Sequence, residues 1–510
     1  MKARRIPEPR MCPSRRDFLR ASSLAAAGLA ARPFLGADDV RQPTPRKPLN
    51  VVFVFADQWR AQATGYAGDP NVKTPNLDAL AQRSLNFTRA IASCPVCSPY
   101  RASLITGQYP LTHGVFINDV HLSDDATSIA EAFKAGGYDT GYIGKWHLQG
   151  RGRLSFIPRE DRQGFDFWRV CECTHNYNKS VYFGDGPERL VWDGYDAEAQ
   201  TRCAQAYLRG EGRDKAKPFL LMLSWGPPHN PYETAPKQFR DLYDPAKLQL
   251  RPNVPPAAQA AARRDLAGYY AHCTTLDTYI GDLLKTLDDA GLARDTIFVF
   301  TSDHGDMLGS QGQQRKQRPW DEAIRVPFLL RCPALHGDRG RDITQPFAEA
   351  DLMPTLLRLC GLPVPKSVEG LDLSGLVTAA IVGGVSSPRD PLRGDTPPTT
   401  YPEAALIACY APFGEWTRDG GGREYRGVRT VRHTYVETRE GPWLLYDNDR
   451  DPYQLTNLIG KPEAAEVQTH LAAELKKHLA RRGDQFLSGW DYIQKWGYKT
   501  DKTGTAPTPP

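Results

Sequence analysis

Four runs of apolar residues, far apart in the chain, each lead into an ionisable side chain. Leu49 to Ala56 (LNVVFVFA) is followed by Asp57, and Asp295 to Ser302 (DTIFVFTS) by Asp303 and His304. Pro218 to Trp225 (PFLLMLSW) is followed by Gly-Pro-Pro and then His229. The weaker run Asp139 to Gly144 (DTGYIG) leads into Lys145 and His147. Apolar character without alternation, rich in Val, Ile and Phe, marks strands covered on both faces. Val326 to Cys332 (VPFLLRC) is a fifth such run. Helical patterning lies between them. It is clearest from Ala257 to Gly291, where Leu266, Tyr270, Cys273, Ile280, Leu284 and Leu287 fall mostly at spacings of three and four. Strands alternating with helices define an α/β chain whose large sheet, mostly parallel or mixed, is sandwiched by helices. In such a sheet the carboxyl ends of the strands share one edge, where ligands bind. A single strand ending in Asp is ordinary loop chemistry. Four ending in Asp, His or Lys predict one converging site.

The rest of the chain frames this unit, expected over residues 48–375. The N-terminus reads as an export signal over residues 1–37. A basic stretch ends in Ser14 to Arg20 (SRRDFLR), the alanine-rich Ala21 to Ala31 follows, and cleavage falls after Ala37. The pair Arg15–Arg16 ahead of Phe18–Leu19 resembles a twin-arginine signal, which implies the export machinery as a partner and a periplasmic or secreted location in a bacterium. No later stretch reaches the roughly 18 apolar residues of a membrane-spanning helix. Residues 376–402, rich in Gly, Pro, Ser and Thr, read as a loop or linker. Short alternating runs from Arg426 to Asp447, then a helical pattern from Lys461 to Arg482, predict a small antiparallel sheet with a helix over 403–485. Residues 500–510 read as a disordered tail. The net charge of +5 on 510 residues, without long basic runs, argues against a nucleic-acid partner.

Asp57, Asp303, His304 and the amide of Gln58 make a divalent-metal site in which oxygen donors favour Ca²⁺, Mg²⁺ or Mn²⁺ over zinc. Arg101, Lys145 and Lys316, with His147 and His229, then imply an anion beside the metal. A metal with several cations suits a sulfate or phosphate oxyanion held during displacement. Cys97 opens a predicted helix with Pro99 at an early position, where the helix field favours an anion. By residue type alone Cys97 is open to several roles: nucleophile, metal ligand, half of a disulfide, or a redox pair with Cys94. The ten cysteines are scattered and show no disulfide-scaffold density.

With these residues in view the chain resembles the type I, formylglycine-dependent sulfatases of the alkaline-phosphatase superfamily. The motif C-x-P-x-R is met by Cys97-Ser98-Pro99-Tyr100-Arg101, followed by ASLITG. G-Y-x-T-x-x-x-G-K-x-H is met by Gly137 to His147. Thr74 to Ala81, Thr301 to Gly309, Asp351 to Leu362 and Leu444 to Leu458 match further family segments, so the likeness spans about residues 48–480.

The resemblance implies that a maturation enzyme oxidises Cys97 to Cα-formylglycine. The hydrated aldehyde would attack sulfur with one hydroxyl and expel sulfate through the other. It implies Asp57, Gln58, Cys97, Asp303 and His304 around the metal, with Ca²⁺ expected and Mn²⁺ or Mg²⁺ as alternatives. It also implies Arg101 and Lys145 holding the modified residue and sulfate, His147 taking the proton that triggers elimination, and His229 and Lys316 assisting the leaving oxygen. Many members carry Asp where Gln58 stands. Phosphonate and phosphate-ester hydrolases of the superfamily share the Asp-Gln pair and form the alternative. Tyr100 stands where small residues are usual. For the substrate, compartment and analogy point to a sulfated saccharide, with His175 and Asn178, in Cys171 to Phe183 (CECTHNYNKSVYF), as candidate contacts.

Overall fold

Alternate residues of the first strand serve two different cores, which is why that strand is apolar throughout. In the computed structural model, which describes residues 47–378 and 401–508, β1 spans Asn50–Asp57. Val51, Phe53 and Phe55 enter one buried cluster with Tyr100, Leu104 and Ile105. Val52, Val54 and Ala56 enter the other, with Leu266, Tyr270 and Ile280. A strand buried on both faces has no position for a polar side chain until it ends. Each fully buried aliphatic or aromatic side chain contributes about 1.5–3 kcal/mol.

Seven further strands complete the large sheet: β2 (Leu85–Phe87), β3 (Asp139–Lys145), β4 (Phe167–Cys171), β5 (Phe219–Pro228), β6 (Thr296–Ser302), β7 (Leu329–Arg331) and β8 (Arg341–Ile343). Their order is β8-β2-β7-β6-β1-β5-β3-β4. β1 lies parallel to both β5 and β6, and β3 is parallel to β5, so four strands deliver their carboxyl ends to one stretch of edge. The sheet is mixed because β7 runs antiparallel to β6 and β2. The apolar run from Val326 to Cys332 contributes only Leu329–Arg331 as strand.

One layer is led by α1 (Cys97–Thr106), which is buried along its whole length and closed by Gly107 in the left-handed region. The other is led by α2 (Gln259–Asp289). Five of the six positions singled out as its apolar stripe are buried, and Leu284 packs half-buried beside them.

A second sheet, β9 (Ala404–Cys409), β10 (Tyr425–Thr430), β11 (His433–Thr438) and β12 (Gly441–Asp447), is antiparallel throughout. Its two faces also serve different partners. Ile407, Tyr425, Val436 and Tyr446 pack with Ile91 and Ile324 of the first unit. Leu406, Val428, Tyr435 and Leu445 pack with Leu471 and Leu475 of α3 (Ala465–Arg481). Arg429 of β10 fixes the join with a fork onto Asp321, at 2.9 Å from Nε to Oδ1 and 3.0 Å from Nη2 to Oδ2, with both side chains buried. From Pro48 onward the described residues form one compact unit.

The export segment expected over 1–37 and most of the 376–402 stretch lie outside the described residues. Residues 376–378 belong to the short helix Ser374–Thr378. The tail differs from expectation. Through Thr508 it is ordered against the second sheet's loops: Ala506 is buried and Thr505 Oγ1 accepts from the Gly414 amide. A small buried methyl and local hydroxyl bonds anchor a stretch whose composition reads as unstructured.

Burial alone would raise the Asp321 carboxyl, but the Arg429 and Arg325 guanidinia outweigh it and hold it well below the usual carboxylate range. A depressed carboxylate stabilises the fold at neutral pH and loses that contribution as the pH falls from the ordinary carboxylate range toward its lowered value. Arg429→Met, which leaves this charge buried with one partner fewer, is expected to cost about 3–5 kcal/mol in chemical denaturation.

Candidate active site

The side chains that end the central strands meet at the sheet edge. Asp57 closes β1, Lys145 closes β3, His229 follows β5, and Asp303 and His304 follow β6. α1 starts at this edge. Cys97 is its first residue and Arg101 stands one turn later on the same face, which is the physical meaning of their four-residue spacing. The helix start is tied down by Asn118, whose Oδ1 accepts from the Ser98 amide at 3.0 Å, and by Ser98 Oγ donating to the His147 carbonyl at 2.7 Å.

Arg101 organises the carboxylates. Its Nε and Nη2 donate to Asp303 Oδ2 at 3.1 and 2.9 Å, and Nη2 also reaches Asp57 Oδ2 at 3.3 Å. Its Nη1 donates to the Lys145 carbonyl and Ser224 Oγ at 2.8 and 2.7 Å, so one guanidinium binds helix to strands β3 and β5. Lys145 Nζ donates to Asp57 Oδ2 at 2.6 Å. Cys97 Sγ lies 3.3 Å from His304 Nε2, 3.4 Å from Lys316 Nζ, and 3.7 Å from both Lys145 Nζ and Asp57 Oδ1.

These neighbours set the charge state. Burial would raise the Asp57 carboxyl, yet Lys145, then His229, Lys316 and His304, hold it well below its ordinary value. Burial and Asp57 oppose ionisation of Cys97, but Lys145, Lys316 and His304 win and lower the thiol. Asp303 goes the other way, raised first by burial and then by Asp57. The described residues thus hold two close buried carboxylates spanned by one guanidinium.

One ligand atom each from Asp57, Cys97, Asp303 and His304 lies within 4.8 Å of the others, all buried. His304 Nδ1 faces the Gly305 carbonyl at 3.0 Å, which assigns the proton there and leaves Nε2 directed into the cluster. Gln58, held at φ 73°, has Oε1 accepting from Lys316 Nζ at 3.1 Å and Nε2 donating to Asp306 Oδ2 at 2.6 Å. Its amide oxygen therefore faces the cluster side. This donor set of two carboxylates, an amide oxygen and an imidazole, relieved of like-charge repulsion by a dication, fits a divalent metal.

On the other flank, burial and then Lys316 lower His229, keeping it neutral. Its Nδ1 faces the Asn230 carbonyl at 2.8 Å, and Nε2 accepts from Lys316 Nζ at 2.7 Å. His147, at φ 62°, has Nε2 3.1 Å from Asp119 Oδ1, and its buried Nδ1 has no hydrogen-bond partner. Burial would depress this imidazole. Cys173 and Asp119 outweigh it and hold it well above its ordinary value. Of the candidate substrate contacts, His175 stacks on His229 with ring centres 4.5 Å apart. Asn178 does not join the cluster: it is exposed, and its amide donates to the Thr234 carbonyl at 3.2 Å.

Sequence reasoning missed Asp119, Asp306, Asn118, Ser224 and Glu415. Asp119 holds His147 and Arg153. Asp306 fixes Gln58 and the Arg315 amide. Glu415, from beyond β9, stands 3.6 Å from Lys316 Nζ. Asp306 is three residues past Asp303 and could have been found by that proximity. Asn118 and Asp119 lie in a loop without periodicity, Glu415 in a single short turn, and Ser224 is a small polar residue inside the otherwise apolar β5. Cys94 is a free core thiol, raised by burial, and forms no disulfide with Cys97. Tyr100 turns away from the cluster into the core of the α1 layer, which explains its size.

Fold and site together define a hydrolase class in which an α/β sheet edge presents a buried acid pair, suited to a divalent metal, to an oxyanionic ester. The sulfatase family profile matches residues 49–362. An ulvan-active sulfatase of Formosa agariphila is 44% identical over 91% of this chain and 88% of its own. An endo-4-O-sulfatase of Bacteroides thetaiotaomicron is 31% identical over 86% of this chain and 93% of its own. The chain belongs to the sulfatase family, the formylglycine type of the alkaline-phosphatase superfamily, and is a sulfuric ester hydrolase. Among solved structures, one from B. thetaiotaomicron reported with its metabolism of multiple glycosaminoglycans superposes with a TM-score of 0.75 at 30% identity, covering 88% of this chain and 98% of the other. The phosphonate monoester hydrolase of Agrobacterium radiobacter, at 24% identity and a TM-score of 0.66 over 86% of this chain and 96% of its own, shares the fold.

Gly144 is the tightest point under the site. It sits at φ 103°, and a Cβ there would lie 1.9 Å from the Ser224 carbonyl oxygen. Gly144→Ala should push β3 from β5 and displace Lys145. Turnover of an aryl sulfate is expected to fall by on the order of a hundredfold, the cost of a misplacement near 1 Å.

Proposed function

We propose that this sulfatase removes sulfate from a sulfated polysaccharide or its fragments, using a formylglycine made from Cys97 and a divalent cation. The single observation that carries the reading is Cys97 lying within 3.3–3.7 Å of His304, Lys316, Lys145 and Asp57 in a fully buried cluster. The relatives that act on ulvan and at a 4-O-sulfate support the saccharide class. Asp57, Gln58, Asp303 and His304 would hold the cation, with Ca²⁺ first and Mn²⁺ or Mg²⁺ as alternatives. The cation would supply Lewis-acid charge that stabilises developing negative charge on oxygen. The hydrated aldehyde at position 97 would supply two hydroxyls on one carbon, one to attack sulfur and one to expel sulfate.

The chain's own groups then have separable tasks. Arg101 fixes both carboxylates and the end of β3, so the site is ordered before substrate arrives. Lys145 and Lys316 place two ammonium groups beside position 97, where a sulfate's negative oxygens need them. Lys316 donates to neutral His229, and this pair holds a proton for the leaving alcohol oxygen. The family likeness assigns His147, positioned by Asp119 at Nε2, the proton whose removal from residue 97 triggers sulfate elimination. His175, stacked on His229, faces the leaving group. A bacterial export route through the Arg15–Arg16 signal, and modification by a maturation enzyme before export, complete the proposal. Among the described residues no helix is long and apolar enough to cross a membrane.

In protein from its native host, mass spectrometry of the Cys97 peptide should show the aldehyde in place of the thiol. Cys97→Ala should retain the fold while losing aryl sulfate turnover by on the order of a thousandfold or more. An intact thiol in active protein would refute the mechanism. Faster turnover of a matched aryl phosphonate than of the aryl sulfate would move the assignment to the phosphonate hydrolases that share the Asp-Gln pair.

Chelation supplies a second check. Stripping divalent ions should abolish turnover, and adding back Ca²⁺ should restore it most fully. Full activity in the stripped protein would remove the metal from the proposal.

A further inference from the structure

Each polar atom of Gln58 is pinned, and the partners of its side chain decide what it offers the cluster. Its backbone amide donates to Asp303 Oδ1 at 3.0 Å, and its carbonyl accepts from the Tyr269 hydroxyl at 2.9 Å. The side-chain amide lies between Lys316 Nζ, 3.1 Å from Oε1, and Asp306 Oδ2, 2.6 Å from Nε2. A primary amide has one accepting end and one donating end of nearly equal size. Which end faces the cluster is therefore settled by hydrogen-bond partners rather than by shape. An ammonium only donates and a carboxylate accepts, so both flanks select the same orientation.

Asp306 is fixed on its other side. Its Oδ1 accepts from the Leu308 and Arg315 amides at 3.1 and 3.0 Å. Its Oδ2 accepts from the Tyr232 hydroxyl as well as from Gln58, and that hydroxyl accepts in turn from Arg315 Nη1. Gln58 and Asp306 have no exposed surface. The carboxylate cannot rotate away without giving up two backbone donors, and no water is close enough to replace it. Lys316 is less committed, because it also lies against His229 and Cys97. Among the described residues Asp306 makes no hydrogen bond to any other group of the cluster. The arrangement also bears on charge. Gln58 gives the cluster a neutral oxygen where many sulfatases offer a carboxylate, and Asp306 places a carboxylate behind that same amide. A carboxylate bonded to Nε2 polarises the amide and makes Oε1 a stronger donor to a cation.

We propose that Asp306 is a positioning residue for the metal site: by holding Gln58 Nε2 it keeps Oε1 turned toward the cation. The inference rests on reading Gln58 as a ligand of that cation. It makes Gln58 and Asp306 one unit, so that exchanging acid and amide between the two positions preserves the site.

The test is calorimetric titration of the chelator-stripped full chain with Ca²⁺, and in parallel with Mn²⁺ and Mg²⁺, which needs no turnover. Asp303→Asn marks the site, since binding that survives it arises elsewhere. In Asp306→Asn the side-chain oxygen can keep the Leu308 and Arg315 amides, which sets its NH₂ against Gln58 Nε2, donor to donor. The stripped protein relieves this by turning the Gln58 amide over, with the flexible Lys316 head giving way. The loaded protein needs Oε1 at the cation and cannot. The cost therefore falls on binding, and affinity should drop about ten- to a hundredfold, the loss typical when the partner behind a metal ligand is removed. Adding Gln58→Glu to Asp306→Asn gives that NH₂ an acceptor and keeps the net charge, so affinity should return close to the native value. Glu415→Gln removes a negative charge beside Lys316 without touching Gln58, and should leave affinity near native. If Asp306→Asn alone does not fold, the swapped pair still decides, because it must recover fold and binding together. Native-like affinity in Asp306→Asn, or a swapped pair that binds no better than Asp306→Asn, would overturn the inference. So would an equal loss in Glu415→Gln, which reduces the effect to charge. Those three outcomes leave the metal reading standing. If none of the three cations binds in a way that Asp303→Asn removes, the metal reading falls and this inference with it.

Discussion

Everything at the sheet edge depends on burying Asp57 and Asp303 side by side without solvent. Two carboxylates in a low-dielectric interior repel, and each has lost its hydration. Arg101 answers by spanning both, and its remaining nitrogen is used on Lys145 and Ser224. That one guanidinium requires α1 to begin at the edge, β3 to stop at Lys145, and β5 to lie between β1 and β3. Cys97, a turn earlier on the same helix face, is thereby delivered to the acid pair. Burial and the nearby Asp57 both push the Asp303 carboxyl up, and a dication beside the pair would relieve that repulsion.

The second sheet has a mechanical part in the same arrangement. Lys316 lies in an extended loop with little regular structure of its own. Shortly after it, Asp321 is gripped by Arg429 of β10, and Glu415 stands beside Lys316 from the loop after β9. The C-terminal portion therefore restrains the Lys316 side of the site rather than forming a separate body. Its two-faced burial, against Ile324 on one side and α3 on the other, makes that restraint stiff.

Much of this was legible in the chain. Doubly buried strands must be apolar along their length, so their ends are visible as abrupt changes to Asp, His or Lys. The four-residue spacing of Cys97 and Arg101 reads directly as one helix face. Polar composition in a loop says nothing about direction: Asn178 is exposed, and its amide donates to the Thr234 carbonyl. Asp119 was invisible because its task is to orient His147 across a fold, from a loop with no period. β7 gave no sign of its direction, since apolar pattern is the same for parallel and antiparallel strands.

Residue type and local spacing alone determined which groups could act: a thiol at a helix start, and acids and bases at strand ends. These follow from forces between near neighbours and from the cost of burying charge. Tertiary structure alone decided which of them meet and which partners each histidine nitrogen takes. Those outcomes depend on strand order and on contacts between residues as many as 258 positions apart, which no local pattern encodes.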